Sequence, residues 1–292
     1  MSRKVTRYPK MHVTVLREGR PEGLKGDCPM AKREITGMRT LITGASSGIG
    51  RALAVELVRQ GARCVLLARG EDRLREVVAE CCSVDEQAQV AHVVGDVTDA
   101  AIRKAAIEKT VTTFGGIDAV VNNAGVGSFG RFADAHPERL RDIMEVNFFA
   151  AVHLIHETLP ALRQGKNPLV VNVGSILGHR GIPQMHEYCA SKFALQGFSQ
   201  SLRVELRREG IDLLMVSPGT TDTEFYDNVV HGKGNVPWNK GRGTPVAVVA
   251  RKTVRAMQRG QREIVPNFLG RLLLWAHRRA PHLVDWYLER FA

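Results

Sequence analysis

Residues 39–50 read RTLITGASSGIG, in which an apolar run leads directly into a glycine-rich turn and then into a stretch with helical spacing. Gly44 allows the chain to leave a strand in a tight turn, Gly48 lets a ligand approach the backbone, and Gly50 permits close helix–strand packing. The N-terminus of a helix offers unpaired N–H groups and a positive dipole end to an anion. The stretch therefore predicts a phosphate-binding strand–turn–helix unit.

From Met38 onward, short apolar runs alternate with longer segments of helical periodicity. The predicted strands are 39–43, 63–68, 90–95, 118–123, 168–173 and 211–216, and the predicted helices lie near 48–60, 71–82, 98–113, 138–162 and 187–209. Runs that are nearly continuous in Val, Ile and Leu indicate strands buried on both faces, and their alternation with helices indicates a parallel sheet. The predicted fold class is α/β: a single doubly wound, Rossmann-like domain.

The length of 292 residues suits one such domain with additions at both ends. Residues 1–37 lack sustained periodicity and contain several Gly and Pro residues, so they are interpreted as a basic extension, mobile in part, with one short strand over 11–16. Residues 38–265 are assigned to the domain. Residues 266–292 are interpreted as an amphipathic helical segment that Pro281 interrupts.

The net charge of +11 is concentrated at the two ends of the chain. Residues 1–37 carry +5 and residues 239–292 carry +8, whereas residues 38–238 carry −2. Such ends could contact anionic lipid, nucleic acid or an acidic partner, or they could simply be solvated. Because the body is nearly neutral and contains no recognised nucleic-acid module, no nucleic acid is expected as a partner.

The five cysteines indicate a reducing compartment. Cys28, Cys64, Cys81, Cys82 and Cys189 are odd in number and lack metal-ligand spacing, so they are interpreted as free thiols and no metal site is expected. No apolar run reaches the roughly 18 residues of a membrane span, and the N-terminus lacks the apolar core of a secretory signal. The expected location is cytoplasmic, with membrane association as an open alternative.

Several motifs in order resemble the short-chain dehydrogenase/reductase family over roughly residues 38–260. The TGASSGIG stretch of 43–50 is similar to that family's glycine fingerprint, and Asn122-Asn123-Ala124-Gly125 is similar to its NNAG element. Pro218-Gly219 resembles the element that follows the sixth strand. Asn147, Ser175, Tyr188 and Lys192 resemble the catalytic tetrad. The resemblance implies an oxidoreductase that acts on CH–OH groups, converting a carbonyl to a secondary alcohol or the reverse.

The spacing of Tyr188 and Lys192 fits this chemistry. Residues i and i+4 share one face of a helix, and a nearby ammonium lowers the pKa of a phenol from its usual value of about 10. Tyr188 is the predicted proton-transfer residue. Ser175, just past the fifth strand, is predicted to hydrogen-bond the substrate oxygen. The resemblance implies that Lys192 also holds the nicotinamide ribose and that Asn147 supports a water in a proton relay.

The end of the second predicted strand indicates the choice of cofactor. Ala68 stands where NAD-specific sites usually place a carboxylate, and Arg69 follows directly, where it could bind a 2′-phosphate. The prediction is NADP(H) rather than NAD(H), although Ser47 replaces the basic residue that many NADP-preferring members carry. The predicted cofactor-binding set is Gly44, Ser46, Ser47, Gly48, Ile49, Gly50, Arg69, Asp96, Val97, Asn123, Ala124, Gly125, Tyr188, Lys192, Pro218, Gly219, Thr221 and Thr223.

The predicted substrate walls, 176–187 and 220–243, are a mixed lining with a substantial apolar share. The residues singled out there are His179, Ile182, Pro183, Met185, His186, Phe225, Tyr226, Val229 and Trp238. They favour a medium or large apolar carbonyl or alcohol. The basic, Leu- and Trp-bearing helix of 267–280 could cover this pocket, pack in an oligomer or lie at a membrane interface.

Two further expectations come from the resemblance. Family members suggest a homodimer or homotetramer that associates through the helices around 138–162 and 187–209. The alternative function is that of a catalytically weak NADP-binding regulatory protein on the same fold.

Overall fold

The computed structural model describes residues 31–226, 229–231 and 243–291. Its centre is a seven-stranded parallel sheet in the order β11-β7-β6-β4-β1-β2-β3. The strands are β1 (Arg39–Thr43), β2 (Arg63–Ala68), β3 (Val90–Val94), β4 (Ala119–Asn122), β5 (Gly127–Ser128), β6 (Leu169–Val173), β7 (Asp212–Val216), β8 (Thr221–Asp222), β9 (Val229–His231), β10 (Thr244–Pro245) and β11 (Glu263–Ile264). The short strands pair as β5 with β9 and β8 with β10.

Helices cover both faces of this sheet. They are α1 (Gly48–Arg59), α2 (Glu71–Val84), α3 (Ala100–Phe114), α4 (Arg139–Met144), α5 (Ala150–Leu162), α6 (His186–Arg208), α7 (Val246–Arg259), α8 (Phe268–Arg279) and α9 (Pro281–Leu288). A π-helical segment, Glu145–Phe149, joins α4 to α5, and single 3₁₀ turns occupy Phe132–Asp134, Ile176–Gly178, Glu224–Tyr226 and Glu289–Phe291.

The core consists of two apolar layers, one on each face of the sheet. Ile42 of β1 points into a layer shared with α1, α2 and α7, whereas its neighbour Leu41 points into a layer shared with α3, α5 and α6. Both side chains are fully buried. Successive strand residues point to opposite faces, so the unbroken apolar runs seen in the sequence follow from burial on both sides.

The strand order reverses at β1, which lies between β2 and β4. The connection from β1 leads to α1 on one face, whereas the connection from β4 leads through α4 to α5 on the other. The loops that leave the carboxyl ends of these two strands therefore diverge and open a crevice, the place where ligands bind in open parallel sheets.

The predicted doubly wound α/β fold is confirmed, and each of the six predicted strands matches an observed one to within one residue at either end. The edge strand β11 and helix α7 were not predicted, because a two-residue strand carries no periodicity and α7 begins after a stretch without a clear pattern. The helix predicted over 138–162 is interrupted by the π-helical segment.

Residues 31–37 were assigned to the extension, yet they contact the body of the domain. Arg33 donates to Asp212 Oδ2 at 2.6 Å and to two backbone carbonyls, and Ile35 is 3% exposed within one apolar layer. Cys28 and the short strand predicted over 11–16 lie outside the described residues.

A buried ion pair fastens the start of β1 to the start of β4. The Asp118 carboxylate accepts hydrogen bonds from Arg39 Nε at 2.8 Å, from Arg39 Nη2 at 2.6 Å and from the backbone N–H groups of Arg39 and Lys166. Burial alone would raise the pKa of Asp118, but these donors favour the charged form and bring the pKa below its usual value.

We expect Asp118→Asn to lower the free energy of unfolding by about 2–3 kcal/mol at pH 7, because it leaves Arg39 without its buried counter-charge. Because the pKa of Asp118 is lower in the folded state, its ionised carboxylate stabilises the protein at pH values above the unfolded-state pKa of about 4. This stabilisation is lost as the pH falls through the folded-state pKa. The difference between wild type and variant should therefore shrink near pH 3 in urea unfolding curves. Asp72→Asn, at an exposed carboxylate of α2, is the control. An equal effect at both pH values would contradict the assignment.

Candidate active site

The glycine-rich turn after β1 has the backbone geometry that its sequence predicted. Gly44 and Gly48 adopt φ values of +63° and +54°, in the left-handed region where a side chain is strained. A Cβ on Gly44 would stand 2.7 Å from the Cα of Ala124. A Cβ on Gly50 would overlap the carbonyl oxygen of Gly44 and the side-chain nitrogen Nδ2 of Asn123. The turn and the segment after β4 are therefore in direct contact through glycine.

Hydrogen bonds of two polar side chains stabilise this contact. Thr43 Oγ1 accepts hydrogen bonds from the backbone N–H groups of Asn123 and Ala124, both at 3.1 Å. The Asn123 side chain donates to the carbonyl oxygens of Thr43 and Gly44 at 3.1 and 3.0 Å. The ends of β1 and β4 are thus held together at the crevice by a closed set of hydrogen bonds.

The N-terminus of α1 faces the crevice without a side-chain cap. Ser47 occupies the N-cap position in an extended conformation, but its hydroxyl accepts no hydrogen bond from the first turn. Gly44, Ser46, Ser47, Gly48 and Ile49 line one end of a cleft of about 580 Å³. Uncapped N–H groups beside glycines fit a pyrophosphate, because they supply donors and a positive dipole end with no side chain in the way.

Tyr188 and Lys192 line the same cleft, on consecutive turns of α6. Both are buried, at 7% and 4% exposure, and Lys192 Nζ lies 5.6 Å from the centre of the Tyr188 ring. Lys192 Nζ also donates to the carbonyl oxygen of Val173 at 3.1 Å. Burial lowers the pKa of Lys192 to about 8. The ammonium is therefore still mostly protonated at neutral pH and carries a poorly hydrated charge beside the phenol.

Ser175 follows β6 and faces the same space. It is the N-cap of the 3₁₀ turn after β6, where its Oγ accepts the N–H of Leu177 at 3.1 Å, and its hydroxyl lies 3.5 Å from the carbonyl oxygen of Pro218. The capping bond fixes the side-chain rotamer, and the hydroxyl hydrogen, which makes only this long hydrogen bond to Pro218, can turn to a closer acceptor.

Asn147 lies in the π-helical segment and supports the site from behind. Its Oδ1 accepts the N–H of Val126 at 2.8 Å, and its Nδ2 donates to the carbonyl oxygen of Val126 at 2.9 Å and to Ser191 Oγ at 3.0 Å. Asn147 is not among the residues that line the cleft. It fixes the backbone just after Gly125, whose Cβ, if present, would stand 3.5 Å from Lys192 Nζ.

Arg69 directly follows β2, lines the same cleft and is largely exposed. Its guanidinium is 3.9 Å from Asp96 Oδ2, a loose contact between exposed groups that leaves it free to turn toward an anion. The other oxygen of Asp96 accepts two hydrogen bonds from Thr98. Val97 completes this part of the lining.

The loop after β7 closes the cleft over the glycine turn. Pro218, Gly219, Thr221 and Thr223 all line it, and the Thr223 methyl lies 3.3 Å from where a Cβ on Gly48 would be. The buried side chain of Asn267 holds this loop: its Oδ1 accepts the N–H of Gly219 at 2.8 Å, and its Nδ2 donates to the carbonyl oxygen of Thr220 at 3.1 Å.

The apolar part of the cleft surrounds Tyr188. Ile182, Met185 and Phe225 line it as predicted, and the Phe225 ring centre is 5.2 Å from that of Tyr188. Leu273, Tyr287 and Leu288 of the C-terminal helices also line the cleft. One side of the 267–280 helix therefore covers part of the cleft, as one of the three positions predicted for it requires. Val229 packs in the same apolar cluster, Trp238 lies outside the described residues, and nothing is described of the Tyr226 side chain.

The two histidines predicted near the substrate point elsewhere. His179 Nε2 lies 3.0 Å from Ser217 Oγ and 3.2 Å from Glu263 Oε1. His186 Nε2 lies 3.2 Å from Arg139 Nη2, beside Glu187. Neither lines the cleft.

Sequence reasoning missed the buried Arg139–Glu187 pair and Asn267. Arg139 Nη2 donates to Glu187 Oε1 at 2.6 Å, and the pair ties α4 to the first turn of α6, one residue before Tyr188. Burial would raise the pKa of Glu187, but the Arg139 guanidinium overrides it and lowers the pKa. These side chains act over long sequence separations and belong to no local motif. Only their burial in the folded chain identifies them.

Comparison with known proteins agrees with the family resemblance seen in the sequence motifs. A family model described as short chain dehydrogenase matches residues 39–234. The 11-beta-hydroxysteroid dehydrogenase-like 4A protein of Arabidopsis thaliana is 38% identical over 187 residues, which cover 64% of this chain and 62% of that protein. The match thus spans less than two thirds of the plant relative. The hydroxysteroid 11-beta-dehydrogenase 1-like protein of Xenopus tropicalis is 32% identical over 86% of both chains.

Solved structures share the fold. A short chain dehydrogenase from Burkholderia cenocepacia in complex with NADP is 27% identical, covers 80% of this chain and 97% of its own, and superposes with a TM-score of 0.71. Another solved neighbour of the same fold was determined in complex with NAD.

Gly50→Ala tests the glycine contact at the crevice. We expect it to lower the free energy of unfolding by about 1–3 kcal/mol, because the added methyl group overlaps the Gly44 carbonyl and the Asn123 amide. Gly197→Ala is the matched control in helix α6, where a Cβ meets nothing within 4 Å and should stabilise the helix by up to about 1 kcal/mol. Both changes can be followed by urea unfolding. Equal effects of the two substitutions would contradict the described packing.

Proposed function

Because this chain belongs to the short-chain dehydrogenase/reductase family of oxidoreductases, we propose that it uses NADP(H) to interconvert a carbonyl and a secondary alcohol. The observation that carries the proposal is the pairing of Tyr188 with the buried Lys192 in a cleft that the phosphate-binding turn also lines. That arrangement puts a proton donor and a dinucleotide site in one continuous space.

Each residue of the site has a separate role in the proposed reaction. A bound NADP(H) supplies or accepts the hydride. In the reducing direction, Tyr188 donates its phenolic proton to the substrate oxygen as negative charge develops there. The Lys192 ammonium favours the phenolate that remains, which lowers the cost of that transfer. The Ser175 hydroxyl donates a hydrogen bond to the same oxygen and orients it. Asn147 acts indirectly, by holding the backbone at Val126 and the Ser191 side chain next to Lys192.

NADP(H) is preferred over NAD(H) in this proposal because of Arg69. Arg69 lines the cleft, and Ala68, in the preceding position, presents no carboxylate to a 2′-phosphate. Arg73, which also lines the cleft, adds a second positive charge, although it is paired with Glu224 at 2.8 Å. A planar guanidinium suits a phosphate dianion because it can donate two parallel hydrogen bonds.

The proposed substrate is a medium or large apolar carbonyl or alcohol. Among the described residues, Ile182, Met185, Phe225 and Leu273 line the cleft near Tyr188, and apolar side chains of this kind favour an apolar substrate. The hydroxysteroid-dehydrogenase names of the relatives are consistent with a substrate of this size and character.

We further propose a homodimer or homotetramer that associates through α5 and α6. Phe149, directly before α5, and Phe193 and Val204 of α6 are exposed large apolar residues, at 41%, 45% and 66%. Exposed side chains of this kind on neighbouring helices are typical of a surface that another subunit covers.

The Arg69→Ala variant tests the cofactor preference. We expect its affinity for NADPH to fall by about 10- to 100-fold, because a charge-assisted hydrogen bond to the 2′-phosphate is lost, while its affinity for NADH stays unchanged. Titrations followed by nicotinamide fluorescence measure both. Arg75→Ala, in α2 and outside the cleft lining, is the control. Unaltered NADPH affinity in Arg69→Ala would remove the basis for the preference.

The Tyr188→Phe variant tests the proton transfer. Removing the phenolic oxygen should lower kcat by at least about a hundredfold, as loss of general acid–base catalysis does, and should leave NADPH affinity nearly unchanged. Turnover can be measured as NADPH oxidation against a panel of apolar ketones and aldehydes. Wild-type turnover in this variant would overturn the mechanism. Tight NADPH binding by the wild type without turnover of any carbonyl would favour the regulatory alternative.

A further inference from the structure

Helices α8 and α9 are apolar on two sides, although only one side is buried. Leu274, Val284 and Leu288 are buried, and Leu274 packs in the apolar cluster that contains Tyr188. Of the fourteen exposed large hydrophobic side chains found among the described residues, seven lie within residues 268–287. They are Phe268, Leu269, Leu272, Trp275, Leu283, Trp286 and Tyr287, with exposures from 48% to 74%. A patch of this kind marks an interaction site, because a soluble surface does not need it.

Arginines are interleaved with these side chains. Arg271, Arg278, Arg279 and Arg290 are all exposed. Three of them lie over aromatic rings of the patch: Arg271 over Phe268 at 5.8 Å, Arg279 over Trp275 at 5.9 Å, and Arg290 over Trp286 at 4.7 Å. We call these seven apolar residues and four arginines the C-terminal face. Its positive charge belongs to the excess of +8 carried by residues 239–292.

The C-terminal face adjoins the mouth of the cleft. Tyr287 is 52% exposed and at the same time lines the cleft, next to Leu288 and Leu273. An ion pair between Arg180 and Asp285 fastens α9 to the loop that follows the Ser175 turn. The face is therefore a fixed part of the fold and not a detached tail.

We propose that the C-terminal face binds the surface of a membrane that contains anionic lipid, with Trp275 and Trp286 at the headgroup level and the arginines on lipid phosphates. The combination of exposed Leu, Phe and Trp with basic side chains is that of a helix lying in the plane of a bilayer. No helix among the described residues is long and apolar enough to cross a membrane. The inference does not depend on the reaction proposed above.

The charge of the face favours lipid over a second copy of the chain. A two-fold symmetric contact would bring the same patch of both copies together and set four arginines against four. Asp285, which Arg180 already neutralises, is the one carboxylate on these two helices, and Glu289 follows in the 3₁₀ turn after α9. An anionic lipid surface supplies the missing counter-charge and accepts the aromatic side chains at the same depth.

Co-sedimentation of the full chain with vesicles tests the proposal. We expect binding to vesicles of equal parts phosphatidylserine and phosphatidylcholine, weaker binding to phosphatidylcholine alone, and release as salt rises. Leu269→Ser/Leu283→Ser removes apolar contact, and Arg278→Glu/Arg279→Glu reverses charge. Each should weaken binding by at least about tenfold. None of these four residues lines the cleft.

Matched controls distinguish vesicle binding through the C-terminal face from non-specific adsorption. Val94→Ser/Val111→Ser removes exposed apolar residues elsewhere, and Arg251→Glu/Arg255→Glu makes the same charge change on α7. Both should bind vesicles like the wild type, and thermal unfolding should show all four variants folded. Absence of vesicle binding by the wild type, or equal losses in the controls, would overturn the proposal. If the face variants instead dissociate an oligomer in size-exclusion chromatography and vesicles do not bind, the face is a contact between copies.

Discussion

The contact between the glycine turn after β1 and the segment after β4 is the constraint on which the rest of the site depends. Thr43 and Asn123 join the two strand ends, and Gly44 and Gly50 let them approach to a distance that no side chain would allow. Because the strand order reverses here, this contact fixes the floor of the crevice. This contact sets the positions of the anion site, of Lys192 and of the apolar part of the cleft.

The second requirement is a buried ammonium group, that of Lys192, which carries its charge with little hydration. Lys192 lies at 4% exposure next to Tyr188, and burial lowers the pKa of the ammonium to about 8. A backbone carbonyl, that of Val173, satisfies one of its donors, so the charge is tolerated without a carboxylate that would cancel its field at the phenol. The buried Arg139–Glu187 pair holds the first turn of the same helix. The local chemistry thus depends on rigid packing around α6.

The C-terminal helices connect this chemistry to the surface. Their inner residues complete the apolar end of the cleft, and Asn267, just before α8, holds the loop that covers the glycine turn. Their outer residues form the C-terminal face. One short segment of chain therefore shapes the cleft that we propose takes an apolar substrate and presents the surface that we propose contacts lipid.

The sequence by itself determined the doubly wound sheet, the glycine turn and the Tyr188–Lys192 pairing, because each is encoded by local spacing: periodicity, glycine position, and i, i+4 on a helix. It could not determine that Arg139 pairs with Glu187, that Asn267 supports Gly219, or that His179 and His186 point away from the cleft. Those outcomes depend on which distant segments the tertiary fold brings together and how it buries them. The same reason applies to the C-terminal helix: the sequence left three positions open, and only the folded chain shows that Leu273 and Leu274 pack inward while the opposite side of the helix stays exposed.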